Sequence, residues 1–192
     1  MLLLAGLGNP GEKYRGHRHN VGFMVLDEIQ DQYLLPAWRS KFDALISEGV
    51  IGGQKTCLIK PMTFMNDSGR AVGKAMRFYK LQPSDVIVLH DELDLAPFKL
   101  RIKTGGGVAG HNGLKSIAAH LGTRDFKRVR IGIGHPGNKA KVHGYVLGNY
   151  SKAEEQPLET MIAAMSDHAG LLTNGDESGY MNKVALALQP PK

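Results

Sequence analysis

Residues 2–23 read LLLAGLGNPGEKYRGHRHNVGF, and the order of their parts decides the fold. LLLAGL is an unbroken apolar run of the length of a buried strand. Gly6, Gly8 and Gly11 then punctuate a turn. Helical periodicity begins only at VGFMVLDEIQDQY (21–33), with Asn20 as a candidate N-cap. The rest of the chain keeps this alternation. LISEGVI (45–51) and KTCLIK (55–60) read as strands joined by a turn at Gly52-Gly53. Val72, Ala75, Met76 and Tyr79 recur at i, i+3, i+4, i+7 and predict a helix over 67–80. VIVLH (86–90) is wholly apolar, as a central parallel strand is. FKLRIK (98–103) and VRIGIG (129–134) alternate, which suits half-exposed antiparallel strands. LKSIAAHL (114–121) is helical and stops at Gly122. Ser151-x-x-Glu154 is a capping box for a helix whose apolar face is Leu158, Met161, Ile162 and Met165. A short last helix carries Tyr180, Val184 and Leu188. The expectation is an α/β fold, a single domain over residues 1–192, with a mixed β-sheet flanked by helices.

The spacing Gly6-x-Gly8-x-x-Gly11 matches a dinucleotide-binding turn, but its context does not. That turn opens a helix directly, because the helix N-terminus holds the pyrophosphate. Here EKYRGHRH intervenes, and no acid ends a second strand about 20 residues on. The glycines are instead expected to make a tight turn presenting Asn9 at the strand's carboxyl edge. Gly69-Arg-Ala-Val-Gly73-Lys74 is one residue short of a P-loop and lacks the Ser or Thr after the lysine. The single cysteine, Cys57, lies in an apolar run and is expected to be buried. The start lacks the basic segment of a signal peptide, and no apolar run nears the ~20 residues of a membrane span. These features point to the cytoplasm and away from a membrane.

The polar residues that need explaining sit at strand ends and turns: Asn9, His19, Asn66, His90-Asp91 and His111-Asn112. Each asparagine alone is more often a cap or turn residue. Several at matching positions suit recognition of carbonyls and hydroxyls, since an amide donates and accepts without charge. His with Asp is a general-base pair, the carboxylate fixing the imidazole's tautomer. No G-x-S-x-G elbow is present, so water is the default nucleophile. A metallohydrolase using His17, His19, His90 and Asp91 is the rival set. His120, His135, His143 and His168 read as structural or surface groups.

The net charge is +6, and its placement suggests a polyanion. Lys99, Arg101 and Lys103 share one strand face; Arg128 and Arg130 repeat the pattern, and neither strand carries an acid. GGGVAG leads to a helix N-terminus, which adds N–H donors. Phosphate contacts fit this pattern; a major-groove DNA reader does not.

Five ordered blocks carry a resemblance: GLGNPGEKYRGHRHNVGF, KPMTFMNDSG, HDELDL, GGGVAGHNGLKSI and RVRIGIGHPG. Over roughly residues 2 to 187 the chain resembles the bacterial-type peptidyl-tRNA hydrolases. The resemblance implies a twisted mixed sheet, a monomer, no metal or organic cofactor, and hydrolysis of the ester joining a peptide to the 3′ ribose of tRNA. It implies His19 as general base, Asp91 as its orienting acid, and Asn9, Asn66 and Asn112 as groups that bind substrate and position water or carbonyl. Tyr14, Met65 and His111 join them in the substrate cleft, and Lys103 and Arg130 take tRNA phosphate. A non-catalytic RNA-binding relative is a second rival; it should have lost the His/Asp/Asn set. The chain departs from the usual pattern at His17, where threonine is common, and at Phe98 and Ala109, where glycine is common. The turn at Phe98 is therefore expected to differ. The glycines of GNKAKVHGYVLG (137–148) would permit that segment to move over the cleft.

Overall fold

In a computed structural model that describes residues 1–190, seven strands form one mixed sheet. They are β1 (Leu2–Gly6), β2 (Arg39–Lys41), β3 (Ala44–Ile51), β4 (Gln54–Pro61), β5 (Val86–Glu92), β6 (Leu100–Thr104) and β7 (Lys127–Gly132), in the spatial order β2-β3-β4-β1-β5-β7-β6. The inner four, β4, β1, β5 and β7, run parallel. The expected hairpin β3–β4 and the strand β6 pair antiparallel at either side. The edge strand β2 has only three residues, too few for a periodic signal.

Seven helices cover the sheet: α1 (Val21–Gln32), α2 (Ser68–Phe78), α3 (Asn112–Leu121), α4 (Val142–Val146), α5 (Lys152–Asp167), α6 (Ala169–Thr173) and α7 (Glu177–Ala187). Strand alternation divides the apolar residues between two layers. Leu4 of β1 packs with Val25, Leu26 and Ile29 of α1, Met161 and Met165 of α5, and Tyr180 and Val184 of α7. Leu3 and Ala5 pack on the other face with Ala71, Val72 and Ala75 of α2 and Leu114 and Ile117 of α3. Every residue of β5 is buried, the expected state of a central strand covered on both sides. Cys57 is buried as expected, and its thiol is pushed up to about 12 by burial, so it is held as an inert thiol. Gly69 and Gly73 lie inside α2, as the failed P-loop match implied. No helix among the described residues is long and apolar enough to cross a membrane.

Close approach, rather than ligand binding, accounts for two of the early glycines. A methyl group on Gly22 in α1 would come within 2.5 Å of the Leu7 amide and the Leu89 carbonyl. One on Gly8 would press into the Phe23 ring at 2.7 Å. The first turn of α1 therefore lies directly on the carboxyl ends of β1 and β5. Asn20 occupies the N-cap position the sequence suggested, but it does not act as a side-chain cap. Its side chain makes no cap bond; it accepts from the Asn9 amide at 2.9 Å and donates to the Asn9 carbonyl at 3.0 Å. A buried turn has backbone groups that need partners, and this need claims Asn20.

Gly22→Ala should destabilise the protein by about 1–3 kcal/mol through overpacking, although alanine is the better helix former. Urea unfolding measures this; an unchanged midpoint would show that the α1–sheet contact tolerates a methyl group.

Candidate active site

The loops after β1, β4 and β5 converge where the order of the parallel strands reverses, the position at which open α/β sheets build sites. A cleft of about 730 Å³ opens there. Asn9, His19 and Asp91 line it, with Phe64, Met65 and Asn66 contributed after β4 and residues 109–112 contributed at the start of α3.

Asp91 is the centre of the polar network. His19 Nδ1 lies 2.7 Å from its Oδ2, and His111 Nε2 lies 2.8 Å from its Oδ1. Burial by itself would raise the Asp91 carboxyl. His19 and His111 outweigh that and hold it far below the usual carboxylate range. The hydrogen bonds also fix the tautomers. His111 N-caps α3: its Nδ1 accepts from the Gly113 and Leu114 amides at 3.1 and 3.3 Å. Its one proton is therefore on Nε2, donated to Asp91. His19 donates through Nδ1, so in the neutral ring Nε2 is the nitrogen that can accept a proton.

The asparagines are placed differently from one another. Asn9 is buried, and its Oδ1 accepts from the Met65 amide at 2.7 Å, which ties the β1 turn to the loop after β4. Asn66 and Asn112 are exposed on the cleft. Tyr14 does not line the cavity; its ring stands edge-on to Phe64, a lining residue, with centroids 6.3 Å apart. Lys103 and Arg130 lie outside the cleft on β6 and β7.

The rival metal set does not assemble. His90 is fully buried, with Nδ1 bonded to the Asp91 carbonyl at 2.8 Å and Nε2 without a partner among the described residues. Burial, reinforced by His111, pushes its imidazole down to about 3. Arg18, between His17 and His19, points away from the site and reaches Glu154 at 2.9 Å and the Tyr145 carbonyl at 3.3 Å. Among the described residues, the groups that could offer ligand atoms together are His19, Asp91 and His111, within 4.8 Å; the hydrogen bonds of the two rings to one carboxylate already account for that proximity.

Three further sequence readings need correction. His135 and His143 are exposed, as surface groups are, but they also line the cleft, His135 from the loop after β7 and His143 from α4. The turn at Phe98 keeps a glycine-like backbone, with φ of 67°, and Ala109 does the same at 48°. The basic faces are not free of acid: Glu92, from the neighbouring strand, bonds Arg130 at 2.9 Å, and Arg128 is buried against backbone carbonyls. Glu92 and Gly107 come from distant segments, which a strand's own alternation does not report.

A polar cleft at the carboxyl ends of the parallel strands places this chain among the open-sheet α/β proteins that build their sites there. A profile of the peptidyl-tRNA hydrolase family matches residues 3–191. The peptidyl-tRNA hydrolase of Chelativorans sp. (strain BNC1) is 60% identical over 98% of this chain and 79% of its own length. That of Parvibaculum lavamentivorans is 58% identical over 99% and 93%. The crystal structure of peptidyl-tRNA hydrolase from Acinetobacter baumannii superposes with a TM-score of 0.88 at 40% identity, over 96% of this chain and 94% of that one. The chain belongs to the peptidyl-tRNA hydrolase family.

His90 sets a pH prediction. Its depressed imidazole stays neutral in the folded chain while the unfolded one, near 6.5, takes a proton. The stability that depends on a neutral His90 is therefore fully present above about pH 6.5 and is lost as pH falls toward about 3. Asp91 contributes in the same direction only below about pH 4, because its folded value is also depressed. Between pH 4.5 and 6, His90→Asn should flatten the pH dependence of the unfolding free energy by up to about 1.4 kcal/mol per pH unit. Equal slopes in the two proteins would refute a neutral buried His90.

Proposed function

We infer that this chain hydrolyses the ester between a peptide and the 3′ ribose of tRNA, with water activated by His19. The observation that carries the mechanism is the Asp91 carboxylate bonded to His19 Nδ1 at 2.7 Å on the floor of the cleft. Membership of the family supports the substrate.

In this reading His19 Nε2 takes a proton from water as the water oxygen attacks the ester carbonyl. The imidazolium that forms is stabilised by Asp91. Collapse of the tetrahedral state breaks the bond to the 3′ oxygen, which takes the proton back from His19. No covalent enzyme intermediate forms. The side-chain amides of Asn66 and Asn112 face the same space and donate to the developing oxyanion; one such donor contributes about 3 kcal/mol. Asn9 acts by a different route: with its Oδ1 committed to the Met65 amide, its Nδ2 is the atom directed to substrate or water. Met65 is buried beneath the cleft wall and shapes it. His111 holds Asp91 from the far side and leaves His19 as the base. Tyr14 acts at the rim, against Phe64.

Lys103, exposed on β6, and Arg130 contact tRNA phosphate in this reading. The family resemblance implies a monomer, and the substrate implies the cytoplasm.

His19→Ala should abolish turnover in single-turnover assays while tRNA binding survives. Hydrolysis by that variant at the parent rate would remove the base assignment. Asp91→Asn should lower kcat by about 10²–10⁴, because an amide can hold the wrong imidazole tautomer. Lys103→Ala should lower the preference for peptidyl-tRNA over a peptidyl-nucleoside ester and flatten the salt dependence by about one counterion. A proportional loss on both substrates would argue against a phosphate contact.

A further inference from the structure

The cationic face of β6 and β7 is less uniform than its sequence. Antiparallel register sets Lys103 opposite Arg128 and Arg101 opposite Arg130, so four cationic side chains share one side of the sheet. Arg128 is only 2% exposed and donates to the carbonyls of Gly106, Gly107 and Arg124. It braces the loop before α3. Arg130 is placed otherwise. About a quarter of its side chain is exposed, and only its Nε is anchored, to Glu92 Oε1 at 2.9 Å. That leaves the two terminal nitrogens, with four N–H donors, uncommitted to any protein group among the described residues. A guanidinium held by its Nε presents the forked edge that matches a phosphate.

Glu92 is 8% exposed and lines the cleft. A buried carboxylate without a partner is costly, so Arg130 holds Glu92 as firmly as Glu92 holds Arg130. Glu92 also follows Asp91 directly in β5. Alternation sends the two side chains to opposite faces of the sheet. One carboxylate grips the imidazoles and the next grips the guanidinium, with Cα atoms about 3.8 Å apart. The spacing between the two is set by one peptide unit in the most buried strand, and not by a loop.

We propose that Glu92 is a positioning residue for the substrate: it fixes Arg130 so that a tRNA phosphate is engaged in register with the ester at His19. It thereby gives the enzyme part of its preference for tRNA-borne esters over small ones. The proposal rests on the reading of Arg130 as a phosphate contact.

The test compares Glu92→Ala, Glu92→Gln, Arg130→Ala and the double variant Glu92→Ala/Arg130→Ala. Each is assayed on peptidyl-tRNA and on a peptidyl-adenosine ester, with thermal melts in parallel. Glu92→Ala should raise KM for peptidyl-tRNA about tenfold with a much smaller change in kcat, the split expected of lost binding. The preference for tRNA should fall by a similar factor. Glu92→Gln, which keeps an oxygen acceptor for Nε, should restore most of it. The double variant should be no worse than Arg130→Ala, because the two residues act as one unit. Equal losses on both substrates, additive losses in the double variant, or a lowered melting temperature with unchanged preference would each overturn the proposal. If Arg130→Ala itself leaves the preference intact, the phosphate reading has failed. If Arg130→Ala lowers it and the Glu92 variants do not, only the positioning role has failed.

Discussion

The carboxylate of Asp91 is almost sealed from water, at 4% exposure, and both of its oxygens are spent on imidazoles. A buried charge is tolerable only where donors replace the water it has lost. Each donor here is itself held. His111 caps α3 through its other nitrogen. His19 sits in a short 3-10 turn, Arg18–Asn20, whose arginine reaches across to Glu154 of α5. One anion therefore joins the start of α1, the end of β5 and the start of α3. It also makes the two histidines unequal: the ring that caps a helix has no nitrogen left to accept a proton, and the other has one.

Much of this was legible in the chain because the signals are local. Apolar runs and alternation gave six of the seven strands, and i, i+3, i+4 recurrence gave the longer helices. The polar residues at strand ends were legible as a set, and the cleft gathers Asn9, His19, Asn66, Asp91, His111 and Asn112. What was not legible is the choice of partners. Asn20 had the spacing of a cap and serves Asn9 instead. His111 had the look of a substrate group and is also the cap of α3. Arg130 looked unrelieved because its acid, Glu92, lies on a strand far away in sequence. His143 reaches the cleft through α4, a helix of five residues with too little length to show a period, and His135 reaches it from the loop after β7.

Departures from the family pattern at Phe98 and Ala109 do not redirect the chain: both residues keep the positive φ that a glycine would take. For a residue with a Cβ that conformation costs on the order of 1–2 kcal/mol. At Phe98 the turn is held by its amide bonding the Gly132 carbonyl at 2.9 Å, and the ring stacks with Tyr150. The surrounding hydrogen bonds and packing fix the backbone, and the side chain accepts it.

The polar end of β5 has a consequence for folding fidelity. Val86, Ile87, Val88 and Leu89 are apolar toward both layers, so hydrophobic patterning alone scarcely penalises a slip of this strand by one position. His90, Asp91 and Glu92 do penalise it, since a shift would turn Asp91 toward the guanidinium and Glu92 toward the imidazoles. The chemistry-bearing tripeptide thus acts as the alignment key of the strand that carries it, and a misaligned sheet would be unstable and inert for the same reason.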